Sequence, residues 1–83
     1  MKLQPKDELL YGQACGLWGS DAQLLMLVEE CAELQQAVMH LRRDRVSVED
    51  VAGELADVLI MVEQVTCILF AHDAVDAAKA AKL

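Results

Sequence analysis

The sequence predicts an all-α fold. Three features carry that expectation: apolar residues recur at helical spacing over long stretches, helix start and stop signals punctuate the chain, and aromatic residues are confined to Tyr11, Trp18 and Phe70. A core with so few rings must be aliphatic, and it is expected to be helical.

The elements follow in order. After Pro5, residues Lys6 to Leu17 are expected to form a first helix, with Asp7 and Glu8 in its opening turn where the helix dipole favours negative charge. Gly16 and Gly19 bracket its end. Ser20 or Asp21 then caps a second helix running to about Arg43, whose closing Arg42 and Arg43 suit the negative end of the dipole. A short loop, Asp44 to Val46, leads to Ser47-Val48-Glu49-Asp50, which resembles a capping box. The third helix continues from there without proline to Ala71 or His72. Gly53 in its first turns costs roughly 1 kcal/mol against alanine, which suggests close backbone packing or a local bend. Asp73 and Asp76 offer a cap for a final, alanine-rich helix ending in Lys79 and Lys82. Residues 1–83 read as a single domain without repeats or linkers.

Composition narrows the function classes. An apolar content of 55% excludes a disordered acidic tail, and a formal charge of −7 argues against binding a nucleic-acid polymer, whose phosphates need a basic surface. Cys15, Cys31 and Cys67 are odd in number and lack CxxC spacing, so they read as buried, reduced thiols rather than as a disulfide framework or a zinc site. The N-terminal residues carry no apolar signal segment and no apolar run reaches membrane-spanning length, so the expected location is cytoplasmic. A chain of 83 residues buries a small fraction of its surface alone, which makes self-association expected.

The acidic residues are placed unusually. At about 100° per residue, Gln23, Leu27, Glu30, Leu34, Ala37 and Leu41 fall within roughly 40° of one line on the second helix. Glu30 is central to this stripe, Glu33 lies at its edge, and Glu29 is further round toward solvent. On the third helix Val51, Val58, Met61, Val65 and Leu69 form a stripe that Glu54 interrupts and Asp57 borders. A carboxylate in an apolar stripe needs a partner or takes up a proton. The short loop makes the two helices antiparallel neighbours, so Glu30 and Glu33 should face Glu54 and Asp57. Such a set repels itself when empty and suits Mg²⁺ or Mn²⁺, which prefer oxygen ligands. A ferritin-type di-iron centre needs Glu-x-x-His on facing helices, and neither His40 nor His72 follows a glutamate at that spacing. The two histidines read as a helix-surface and a helix-end residue.

Glu-Glu-Cys-Ala-Glu-Leu followed at an interval of about twenty residues by Glu-Leu-Ala-Asp-Val-Leu, with Trp18-Gly19 just ahead, resembles the MazG-like branch of the all-α nucleoside triphosphate pyrophosphohydrolases over approximately Trp18 to Lys82. The resemblance implies a helical hairpin that assembles into a four-helix-bundle-type homo-oligomer, a homodimer or a dimer of dimers, with active sites lined by more than one subunit. It also implies Mg²⁺-dependent hydrolysis of a (deoxy)nucleoside triphosphate to the monophosphate and pyrophosphate, in nucleotide-pool cleaning. Carried over position by position, Glu30, Glu33, Glu54 and Asp57 are the metal ligands, and Glu29 orients or deprotonates the attacking water.

Substrate contacts follow from the same resemblance. Trp18 stacks on the base or serves as a core anchor. Gln23 hydrogen-bonds base or sugar, or makes an interhelix contact. Lys79 and Lys82 reach the phosphates or balance the dipole of a solvated helix end. Phosphoribosyl-ATP pyrophosphohydrolase shares the acidic scheme and is the alternative within the enzyme class. From another class comes a non-catalytic helical interaction module, in which the acids are structural.

Overall fold

The computed structural model describes residues 4–83, and their side chains except those at positions 8, 14, 15, 17 and 18. Four helices account for it: α1 (Pro5–Trp18), α2 (Ser20–Arg42), α3 (Val48–Ile68) and α4 (His72–Lys82). The all-α expectation holds.

Helix ends follow local chemistry, in three places differently from the sequence reading. Between α1 and α2 a single residue, Gly19, turns the chain with φ 82°, a region that a side chain would disfavour. Because the break is one residue long, the N-cap of α2 falls on Gly19, and Ser20 is already helical. The expected Ser20 or Asp21 cap is therefore replaced, although Asp21 still lies in the first turn. At the other end of α2, the Arg45 N–H returns to the His40 carbonyl at 2.9 Å and Asp44 takes φ 57°.

The capping box of α3 is complete. Asp50 N–H donates to Ser47 Oγ at 3.2 Å while Ser47 N–H donates to Asp50 Oδ2 at 2.8 Å. α3 stops at Ile68, earlier than the Ala71 or His72 expected. Phe70 adopts φ 51°, its N–H bonds to the Cys67 carbonyl at 3.1 Å, and the Ala71 N–H bonds to the Thr66 carbonyl at 3.0 Å. This pairing satisfies the last carbonyls with a phenylalanine where glycine is usual, so the sequence carries no stop signal. The N-cap of α4 is consequently Ala71, and Asp73 sits in its first turn instead of capping it.

The hairpin of α2 and α3 is the main packing unit; α1 lies against both helices, and among the described residues α4 packs on α3 alone. Val51, Met61 and Val65 from the expected α3 stripe are buried, joined by Tyr11 from α1. Tyr11 Oη donates to Glu63 Oε2 at 2.5 Å and ties α1 to α3. Burial, then the hydrogen bond to Glu63, pushes the Tyr11 phenol well above the ordinary tyrosine range. The α2 stripe is half-buried except for Gln23, which is fully enclosed. No close packing meets Gly53, since a Cβ built there finds nothing within 4 Å.

The hairpin remains open to solvent along much of its length. Leu24, Val28, Val38, Val48, Leu55 and Leu59 are all exposed. The radius of gyration is 14.3 Å, against about 12 Å expected for a folded chain of this length. Among the described residues no helix is long and apolar enough to cross a membrane.

Candidate metal centre

Antiparallel packing of α2 and α3 brings the second and third turns of α3 beside the middle of α2. One carboxylate oxygen from each of Glu30, Glu33 and Glu54 lies within 4.8 Å of the other two. Glu30 and Glu33 are one turn apart on α2, and Glu54 reaches them from α3. Glu30 and Glu54 are half-buried and Glu33 is exposed, so the trio opens to solvent on one side.

The electrostatics are those of an uncompensated carboxylate cluster. Glu30 Oε2 and Glu54 Oε2 are each shielded from solvent and lack a hydrogen-bond partner. Burial, then the neighbouring Glu33 and Asp57 carboxylates, hydrogen bonding with Glu33 and the charge of Glu54 raise the Glu30 carboxyl above its usual range. Burial, Glu33 and Asp57 do the same to Glu54. Asp57 is thus within electrostatic reach of both, although it stands outside the tight trio and is exposed. All-oxygen donors, two of them orphaned, fit a hard divalent cation: the orphaned atoms gain a partner and the like charges gain a counter-charge.

The other sequence-predicted residues are dispersed. Glu29 is exposed on α2, outside the trio. Gln23 lies two turns before Glu30, is 1% exposed, and its Nε2 has no hydrogen-bond partner. Lys79 and Lys82 are exposed on α4. The side chain of Trp18 lies outside the described residues, as does that of Cys15. Cys31 and Cys67 are half-buried, less enclosed than the buried thiols expected, and Cys67 Sγ lies 3.5 Å from His72 Nε2.

Two cavities flank the hairpin. One, of about 540 Å³, is lined by Tyr11, Ser20, Cys67, Ile68, Phe70 and His72. The other, of about 410 Å³, adjoins the acid trio, with Glu33, Gln36, Ala37, His40, Val46, Asp50 and Glu54 in its wall. His40, expected on the helix surface, is half-buried here. The signal was available in the spacing: Gln36 and His40 follow Glu33 at one and two turns along the same side of α2.

Fold and site together define a class: an all-α hairpin that carries Glu-x-x-Glu and Glu-x-x-Asp on consecutive helices, with oxygens of Glu30, Glu33 and Glu54 grouped closely enough to be able to hold a metal ion. The model of the MazG nucleotide pyrophosphohydrolase domain matches residues 19–83, and the chain belongs to that family. No curated protein and no solved structure matches the chain. Family membership supports nucleotide pyrophosphohydrolase activity with divalent-metal dependence, and the acid trio lies within the matched span.

Proposed function

We propose that this protein hydrolyses (deoxy)nucleoside triphosphates to monophosphate and pyrophosphate in the presence of Mg²⁺ or Mn²⁺, as a nucleotide-pool-cleaning enzyme of the cytoplasm. The observation that carries the reading is the pair of orphaned, shielded oxygens, Glu30 Oε2 and Glu54 Oε2, in a cluster of like charge. A fold that needed these acids only for packing would leave them paired or solvated.

Glu30, Glu33, Glu54 and Asp57 hold the ion. When bound, such an ion offsets the charge that builds on phosphate oxygens in the transition state and polarises them toward attack. Glu29 follows Val28 on the exposed side of α2, adjacent in sequence to Glu30, where its carboxylate is free to accept the proton of an attacking water. Gln23 offers its unpartnered amide Nε2 to the base or sugar. Trp18 stacks on the base, and Lys79 and Lys82 contribute positive charge to the phosphates, from this copy or a neighbouring one. The exposed aliphatic residues of the hairpin support assembly into a homodimer or a dimer of dimers of four-helix-bundle type.

The test is pyrophosphate release from a panel of standard and modified nucleoside triphosphates with Mg²⁺, with phosphoribosyl-ATP in the same panel and Glu30→Gln as control. Release that is lost in the control is the expected result. Turnover of phosphoribosyl-ATP alone would reassign the substrate, and a folded protein silent toward every compound would leave an interaction module as the better reading.

A further inference from the structure

The cavity at the junction of α3 and α4 stands apart from the acid trio. Cys67, in its wall, lies thirteen residues beyond Glu54, about 20 Å along α3. α3 ends at Ile68, Phe70 takes φ 51° and α4 begins at His72, so the turn folds the first residue of α4 back over the last turn of α3. The result is a thiol and an imidazole in contact, with Cys67 Sγ 3.5 Å from His72 Nε2. Both side chains are half-buried and both line the cavity. Tyr11, Ile68 and Phe70 add apolar surface to the same wall, and Phe70 is exposed, so the space meets solvent on that side. Its volume of about 540 Å³ lies within the roughly 300–1,000 Å³ of small-molecule sites.

A thiol attacks as its thiolate, so the route of its proton and the charges around the sulfur decide what it can do. In the tautomer protonated at Nδ1, His72 accepts the Cys67 S–H at Nε2; once the proton has moved, the imidazolium donates the same bond back to sulfur. The carboxylate one turn earlier on α3 is Glu63, and its Oε2 accepts the Tyr11 hydroxyl. Tyr11, within electrostatic reach of Cys67, keeps its proton, because burial and then Glu63 hold the phenol well above the ordinary tyrosine range. Cys31 provides an internal comparison: it is half-buried like Cys67, yet lies in the wall of neither cavity described above.

We propose that Cys67 is a reactive thiol, with His72 as its proton acceptor, which takes up a small uncharged disulfide in this cavity as a mixed disulfide. Cys67 Sγ attacks one sulfur of the disulfide, its proton passes to His72 Nε2, and the original S–S bond breaks. The departing sulfur takes the proton from Nε2 and leaves as a thiol. Cys67 is thereby oxidised to the disulfide level and the departing half is reduced. An uncharged body suits apolar walls, and a chain of net charge −7 repels an anionic one.

Dithiodipyridine, an uncharged aromatic disulfide, is the probe: it is added to the reduced full chain near neutral pH, and peptide mass spectrometry reads the labelled positions. Cys67 is expected to react at least about fivefold faster in the folded protein than in denaturant, whereas Cys31 should be slower when folded. His72→Ala should slow Cys67 about tenfold and leave Cys31 within about twofold, and added imidazole should restore much of the loss. His72→Gln keeps a hydrogen-bond donor but offers no ring nitrogen to take the proton, so it should stay slow. A variant that has unfolded is recognised by Cys31 accelerating in step, and the parent comparison then decides. Cys67 reacting no faster in the folded parent than in denaturant overturns the proposal. So does a folded His72→Ala that matches the parent, or one whose loss is recovered by His72→Gln and not by imidazole.

Discussion

Glu30 on α2 and Glu54 on α3 meet across the hairpin, each with a shielded Oε2 that has no hydrogen-bond partner, and Glu33 completes a trio of oxygens within 4.8 Å. The helices therefore carry an electrostatic penalty at their contact that a bound cation would relieve.

Stability should accordingly depend on divalent ions. Adding Mg²⁺ or Mn²⁺ far above its dissociation constant is expected to raise the Tm by roughly 5 °C or more, since linkage favours the folded state and a domain of this size shifts several degrees per kcal/mol. Glu54→Gln should remove that rise. Scanning calorimetry with and without ion measures it, and an ion-indifferent parent would argue against the metal centre.

The same carboxylates set a pH dependence in ion-free buffer. Glu30 and Glu54 have folded pKa values above their ordinary 4.5, so the folded state binds more protons than the unfolded one over that interval. Their contribution to stability is greatest at and below the ordinary glutamate range and declines as pH rises through the raised values. Asp50 acts oppositely, because the Ser47 backbone and hydroxyl hydrogen bonds lower its pKa; its contribution is present above the ordinary aspartate value and is lost as pH falls through the lowered one. Ion-free protein should thus melt higher at mildly acidic pH than at neutral pH, with the gain shrinking in Glu30→Gln. A flat profile in the parent would contradict the clustering.

α3 offers a pair of opposed substitutions. Gly53→Ala meets open space and removes a helix-interior glycine, so it should stabilise by roughly 0.5–1 kcal/mol. Ser47→Ala removes the capping-box hydroxyl and should cost about 1 kcal/mol. Denaturant melts of the two variants should move in opposite directions.

Association should run through the apolar residues left exposed on the hairpin. At about 100° per residue, Val48, Leu55 and Leu59 fall within roughly 40° of one another on α3, a stripe apart from the acid trio. Leu59→Glu is expected to shift the sedimentation coefficient toward that of a monomer, while the Mg²⁺ response of the full-length variant persists.

Periodicity and capping chemistry made the fold class, the hairpin and the acidic face legible in the sequence, because each depends on residues a few positions apart. Ser47 and Asp50 specify the start of α3 by themselves. The end of α3 was illegible since Phe70 occupies a left-handed position normally marked by glycine. His40 is a different case: its spacing from Glu33 and Gln36 places it on their side of α2, but the wall it lines is completed by Val46 and Asp50, residues beyond the turn.

What the sequence by itself determined is that Glu30 and Glu54 lie in apolar stripes of adjacent helices, a consequence of 3.6-residue periodicity. Tertiary structure alone decided that Glu33 joins them in a tight trio with Asp57 at its margin, that Gln23 is sealed in, and that His40 lines the neighbouring cavity. Those distinctions depend on the rotation and offset of one helix against another, which side-chain packing across the hairpin sets and no local pattern encodes.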